Sequence, residues 1–247
     1  MSAAPQTASK KWLWLAVAFG GLGLIVLVSL GTWQVKRLAW KEDLLRTIDL
    51  RTTQEPVQLA EFLAQSLDAD AIEYTPVATT GVFDHSNEQH FFATFDGLSG
   101  YYIYAPLKLQ DGRSIFINRG FVPFDKKDAS TRPESLVQGQ QDVTGLARSV
   151  PEAKAGWVVP ENDTAKNVFH WKDLDAMIAR TGEPADNFVR LFIDQDDTAN
   201  PGQLPVGGVT IIDLPNNHLQ YAITWYGLAL TLLGVLGFYL FRQRASK

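Results

Sequence analysis

Apolar residues gather in two long blocks, and between them the pattern breaks into short alternating runs. Positions 12–31 form twenty residues without a charge, and positions 221–241 form twenty-one more. A hydrocarbon core about 30 Å thick needs roughly 20 helical residues to cross it, so each block is long enough to span a bilayer once. Trp12 and Trp14 at one end of the first block, and Trp33 at the other, suit interfacial belts. Ala16, Gly20 and Gly23 line up as a small-residue face that favours close helix contact. Beyond this block, Trp33, Leu38, Trp40, Leu44, Leu45 and Ile48 recur at helical spacing with charges between them. That predicts one helix from about 12 to 51, roughly 60 Å long.

The middle of the chain reads differently. Pro56 opens a short amphipathic helix over about 57–67, with Leu59, Phe62, Leu63 and Leu67 on one side. Strand-like stretches follow at 74–83, which is rich in Thr and Val, and at 89–95, 101–109 and 113–118, the last two joined by Gln110-Asp111-Gly112, a hairpin signal. Further extended pieces are expected at 141–148, 168–171, 191–194 and 209–214. A helix is expected at 173–181, closed by Gly182. The predicted fold class is a membrane protein: two transmembrane helices flanking a single external α+β domain with a mainly antiparallel sheet. The predicted division is a tail at 1–11, a first span at 12–31, the external domain at 32–217, a second span at 218–241 and a tail at 242–247.

Charge orients this plan. All 27 acidic residues lie between the spans, whereas Lys10, Lys11, Arg242, Arg244 and Lys247 make the tails purely basic. The loop keeps 17 basic residues, for a net charge of −10. The positive-inside rule then puts both tails in the cytoplasm, or matrix, and the loop outside. Lys36, Arg37 and Lys41 just past the first span pull the other way, but long domains translocate largely regardless of charge. The first block is longer than the apolar region of a signal peptide and is read as an uncleaved anchor. No cysteine is present, which excludes disulfides, thiolate metal sites and c-type haem attachment. The acidic loop argues against nucleic acid as a partner.

His218 opens the second span, in NNHLQYAITWYG (216–227). Neutral imidazole is a standard axial ligand for haem iron, and Asn216 or Asn217 can cap the helix in front of it. Helical projection puts Ala222, Trp225 and Ala229 on the His218 side and Gly227, Thr231 and Gly234 on the other. The small face is expected to pack on the first helix. His218 would then point away from that contact, with Ala222 and Ala229 leaving room for a flat macrocycle and Trp225 at its edge. The plainer reading is an interfacial histidine that caps the helix or meets headgroups. Arg37 and Lys41, one turn apart, are candidates for haem propionates or for ordinary headgroup contact. Gly31 permits close backbone approach, Trp33 anchors at headgroup depth and Gln34 can hydrogen-bond across helices. Arg119, after a strand, is read as a buried ion-pair partner or a docking residue. His170 is read as packing, and His85 and His90 as surface residues.

Five segments together resemble one known family. GTWQVKRLAWKEDLL (31–45), EYTPVATTGVFDHS (73–86), FINRGFVP (116–123), VFHWKDLDAMIARTG (168–182) and HLQYAITWYGLAL (218–230) are similar, in this order, to the Surfeit locus protein family. That resemblance implies a cytochrome c oxidase assembly factor, acting where haem a enters the catalytic subunit of the haem–copper oxidase. It makes His218 the family's haem-linked histidine, with haem a bound transiently. The implied partners are the catalytic subunit, haem A synthase as a second candidate, and membrane lipid. The implied location is the inner membrane of a bacterium with the loop in the periplasm, or the mitochondrial inner membrane. Phosphate-loop, nucleophile-elbow, HExxH and DxDxDG sequences are absent, so no catalytic residue is assigned and a non-enzymatic carrier is expected. A cofactor-free scaffold that holds an oxidase subunit is the main alternative, and a haem-modifying enzyme a third.

Overall fold

The computed structural model describes residues 10–65, 68–210 and 216–245. The chain divides into two units, 1–47 with 213–247, and 48–212.

A single helix, α1 (Lys10–Thr52), runs uninterrupted from the first apolar block into the charged stretch beyond it. The short elements after it are β1 (Val57–Gln58), α2 (Leu59–Leu63) and α3 (Ala69–Ile72). The expected helix over 57–67 is therefore shorter: Val57 and Gln58 pair in parallel with the next strand, and Leu67 lies outside the described residues. The strands that follow are β2 (Pro76–Phe83), β3 (Gln89–Phe95), β4 (Leu98–Leu109), β5 (Ser114–Pro123) and β6 (Gln140–Arg148). Next come α4 (Leu174–Thr181) and β7 (Phe188–Gln195). The last helix is α5 (His218–Ala245). Both α1 and α5 are long and apolar enough to cross a membrane.

The seven strands run in the order β1-β2-β6-β7-β5-β4-β3, and a further β2–β4 pairing closes five of them into a barrel. Most neighbours are antiparallel; β1–β2 and β5–β7 are parallel. Closure falls at Gly81↔Leu109 to Phe83↔Leu107. A Cβ on Gly81 would sit 2.5 Å from the Lys108 carbonyl oxygen, so only glycine lets the two strands cross there. Inward-pointing Val77, Ala105, Leu107, Ile115, Ile117, Val143, Ala147, Leu191 and Ile193 fill the barrel, with Leu59 and Phe62 of α2 packed among them. On the outer face of β5 and β7, Phe116, Phe188 and Phe192 meet Leu174, Met177 and Ile178 of α4. Asp173 caps α4 by accepting from the Ala176 N–H at 3.0 Å.

Two of the expected short strands or extended pieces fall outside the strands of the sheet. The 168–171 segment lies beside β3 through two bonds only, Phe92 N–H to the Phe169 carbonyl and Phe169 N–H to the His90 carbonyl, both 2.8 Å. In the 209–214 segment, Val209 and Thr210 are in no strand, and the rest lies outside the described residues.

Candidate functional site

His218 is the first residue of α5, and Asn217 before it accepts the Tyr221 N–H on its carbonyl at 3.2 Å. The expected cap from Asn216 is not made, since its side-chain oxygen is buried without a hydrogen-bond partner. The His218 ring turns toward α1. Its Nδ1 lies 2.6 Å from Oε1 of Gln34, and the Trp33 ring meets it edge-on with centroids 6.5 Å apart. Gln34 is 8% exposed. The oxygen end of its amide faces Nδ1, so this contact is a hydrogen bond in the tautomer that carries the proton on Nδ1, which then donates. Nε2 is then the nitrogen with the lone pair, free to coordinate a metal.

The helices pack by placing large side chains of α5 into gaps over small residues of α1. A Cβ on Gly20 would meet Leu236, one on Gly23 would meet Leu232, and one on Gly31 would meet the Tyr226 ring at 2.9 Å. The Tyr226 hydroxyl lies 3.1 Å from Thr32 Oγ1. The α1 face is therefore the expected one. The α5 face is not: a Cβ on Gly227 or Gly234 would meet nothing within 4 Å among the described residues beyond its own helix, whereas Ala222 and Ala229 are 2% and 5% exposed. His218, Ala222, Trp225 and Ala229 share the face turned toward α1, so the expectation that His218 points away from α1 is corrected. The reason is complementarity: a stripe of small residues on one helix is filled by leucine and tyrosine from the other. Ala222 and Ala229 are not an open floor, and Trp225 is half-buried. A flat ligand held by Nε2 would meet this site at the histidine edge, unless the helices part.

One turn beyond Gln34, the exposed Arg37 stacks its guanidinium over Trp40 at 3.8 Å, leaving the edge of its N–H groups available to an anion. Lys41 lies one turn further on and is half-buried. An imidazole whose Nδ1 is engaged by Gln34, with Arg37 one turn beyond that glutamine, is a pair of side chains whose chemistry fits a haem iron and a propionate.

Arg119 belongs to the barrel. It is 1% exposed, so it is not a docking residue, and among the described residues it has no acidic partner at ion-pair distance. Nη2 donates to Asn200 Oδ1 at 2.9 Å, the guanidinium lies 4.8 Å from the Phe83 ring centroid, and Nε and Nη1 are unpartnered. Burial pulls its pKa down to about 10. His90 is no surface residue either: it is 8% exposed, neither ring nitrogen has a partner, and burial, with Lys127 next in effect, lowers its pKa to about 4. His85 is half-buried, between Glu88 and the Val137 carbonyl. Glu88 in turn holds the buried Arg132.

A second polar centre escaped sequence reasoning. Asp194 on β7 accepts from Asn118 and Thr210 at 3.0 Å and from Arg148 at 2.7 Å, with Lys172 at 3.8 Å. Burial raises the Asp194 carboxyl, but Lys172, Arg148 and these hydrogen bonds outweigh it and hold the pKa below the ordinary value. Its partners come from four separate parts of the chain, and no spacing announces them. Among the described residues no group of three or more His, Asp or Glu could hold a metal ion.

Comparison with known proteins bears directly on this site. The model of the SURF1 family matches residues 22–230. The chain belongs to the SURF1 family. Surfeit locus protein 1 of Homo sapiens is 36% identical, over 92% of this chain and 79% of its own length. That of Rattus norvegicus is 38% identical, over 92% and 77%. The SURF1-like protein of Drosophila melanogaster is 32% identical, over 81% and 69%. The SURF1 family is known for cytochrome c oxidase assembly factors and is generally non-catalytic. Its matched stretch contains Gln34, Arg37, Lys41, His218, Ala222, Trp225 and Ala229.

Proposed function

We propose that this chain is an assembly factor for the haem–copper terminal oxidase that takes up haem a through His218 and assists its insertion into the catalytic subunit. The observation that carries the reading is the His218–Gln34 hydrogen bond at 2.6 Å. It fixes the tautomer in which Nε2 can ligate iron, as the outer hydrogen bond of metal-bound histidines usually does. Haem a is cargo here, and His218 would hold it by its iron through Nε2. Arg37, and Lys41 beyond it, suit the propionates. Catalytic subunit, haem A synthase and lipid are the proposed partners. The proposed site of action is the bacterial inner membrane, with the loop in the periplasm, or its mitochondrial equivalent.

A cofactor-free scaffold is the second reading, and the open glycine face of α5 favours it. With nothing within 4 Å of Gly227, Gly234 and Gly237, another helix could approach closely there. An optical spectrum separates the two readings. The protein is purified in mild detergent from cells making haem a, beside His218→Ala at equal yield. A haem a spectrum that is lost or shifted in the variant supports the carrier. Absence of haem from both proteins, despite a supply, rejects it in favour of the scaffold.

A further inference from the structure

We infer that Gln34 is the positioning residue of the haem site, selecting the His218 tautomer and limiting its donor strength to that of a ligand that can let go. This rests on the carrier reading above.

Several observations converge on Gln34. Its side chain is polar yet 8% exposed, at the point where two apolar helices meet. A buried amide there has to be satisfied, and among the described residues His218 Nδ1 at 2.6 Å is the hydrogen-bond partner of its side chain. The helix pair is tightly packed one turn away. Gly31 receives the Tyr226 ring and Thr32 meets the Tyr226 hydroxyl, so the backbone carrying Gln34 has little freedom relative to α5. The Trp33 edge restrains the imidazole from a second direction. The ring is thus held by a hydrogen bond and an aromatic contact before any ligand arrives.

The identity of the acceptor matters as much as its place. A carboxylate at Oε1 would draw the Nδ1 proton toward itself and give the ring imidazolate character. The ring would then be a stronger donor, which favours ferric iron and slow release. A neutral amide orients the ring just as well with a smaller push. An assembly factor has to surrender its cargo, and an amide suits that task better than the carboxylate that often backs a permanent histidine ligand.

Two substitutions test this. Gln34→Glu keeps the reach of the side chain and adds the charge. Its bound haem a should show a more negative midpoint potential and slower transfer to an acceptor apoprotein. Gln34→Leu keeps the volume and removes the acceptor. Its haem should remain but with a broadened low-temperature electron paramagnetic resonance spectrum, as the ring samples several orientations. Parent-like potential and spectrum in both variants would overturn the inference. Nitrogen-15 resonances of the His218 ring in the haem-free protein give an arm independent of haem, assigned by their loss in His218→Ala. The parent should show the Nδ1-protonated form, and Gln34→Leu a shift toward the other tautomer. A parent ring protonated mainly at Nε2 also overturns it. Loss of haem in His218→Ala with no effect of Gln34 rejects this inference alone. Absence of haem from the parent rejects the carrier reading, and the donor-strength claim with it.

Discussion

His90 shows how much a single buried side chain can decide. Both ring nitrogens lack partners and the pKa is drawn down to about 4. The unfolded chain takes up this proton near 6.5 and the folded chain only near 4. Over that window the unfolded state binds more protons, so stability falls as pH falls. The full loss, from a shift between 6.5 and about 4, is on the order of 3 kcal/mol. Glu88, Lys127 and Arg132 act on this ring. Burial pushes the Glu88 carboxyl up, but His85 and Arg132 outweigh it and hold it below its usual value. His90→Phe should stabilise the protein by about 1 kcal/mol at pH 7, by removing unsatisfied polar atoms. It should also flatten the decline toward pH 5, read by denaturant unfolding of the full chain in detergent. An unchanged pH slope would assign the titration to another group. Sequence reasoning placed His90 at the surface because alternation says nothing about a strand covered on both sides. Arg119 was more legible: Ile115, Ile117 and Arg119 point the same way at period two, which marks a residue aimed into the core.

Elements were read more reliably than their contacts. The strands at 74–83, 89–95, 101–109, 113–118 and 141–148 overlap β2 to β6, and the Gln110-Asp111-Gly112 signal falls between β4 and β5. What alternation could not reveal is that β2 and β4 pair and close a barrel, since pairing between strands distant in order depends on twist and core volume. Nor could helical projection choose which face of α5 meets α1. Gly31→Ala tests the face that is used: the new methyl would fall 2.9 Å from the Tyr226 ring, a rigid group tied to Thr32. We expect about 1–2 kcal/mol of destabilisation from overpacking, read by unfolding in mixed detergent and relieved when Tyr226→Ala is added. Gly234→Ala, on the open face, should be neutral. Equal effects at both glycines would mean that the packing face is assigned wrongly. The barrel has its own weak point. Asp194→Asn leaves Arg148 and Lys172 without the carboxylate that offsets them, and breaking a buried pair on one side costs about 3–5 kcal/mol. Thermal unfolding should show a large drop, and a shift of a degree or two would show that Asp194 is replaceable by water.

At the scale of the whole molecule, membrane sidedness follows from how charge is dealt along the chain. Tails without acid and a loop at net −10 favour cytoplasmic termini. Against this stand Lys36, Arg37 and Lys41, three cations just past the first span. By the same rule these alone would draw that end inward. Two considerations decide the balance. The stretch between the spans is long enough that its translocation is largely independent of local charge. Arg37 and Lys41 also have work on the outer side if the propionates of haem a lie there. The absence of cysteine makes the matter directly measurable, because any introduced thiol is the sole label site. Ser130→Cys, exposed in the barrel domain, should react with a membrane-impermeant maleimide on intact spheroplasts, whereas Ala245→Cys, exposed near the end of α5, should react only after permeabilisation. The reverse pattern would put the His218 end of α5 on the cytoplasmic side. Arg37 and Lys41 would then be ordinary positive-inside residues, and the case for them as propionate contacts would lose its charge argument while the His218–Gln34 pair stood unchanged.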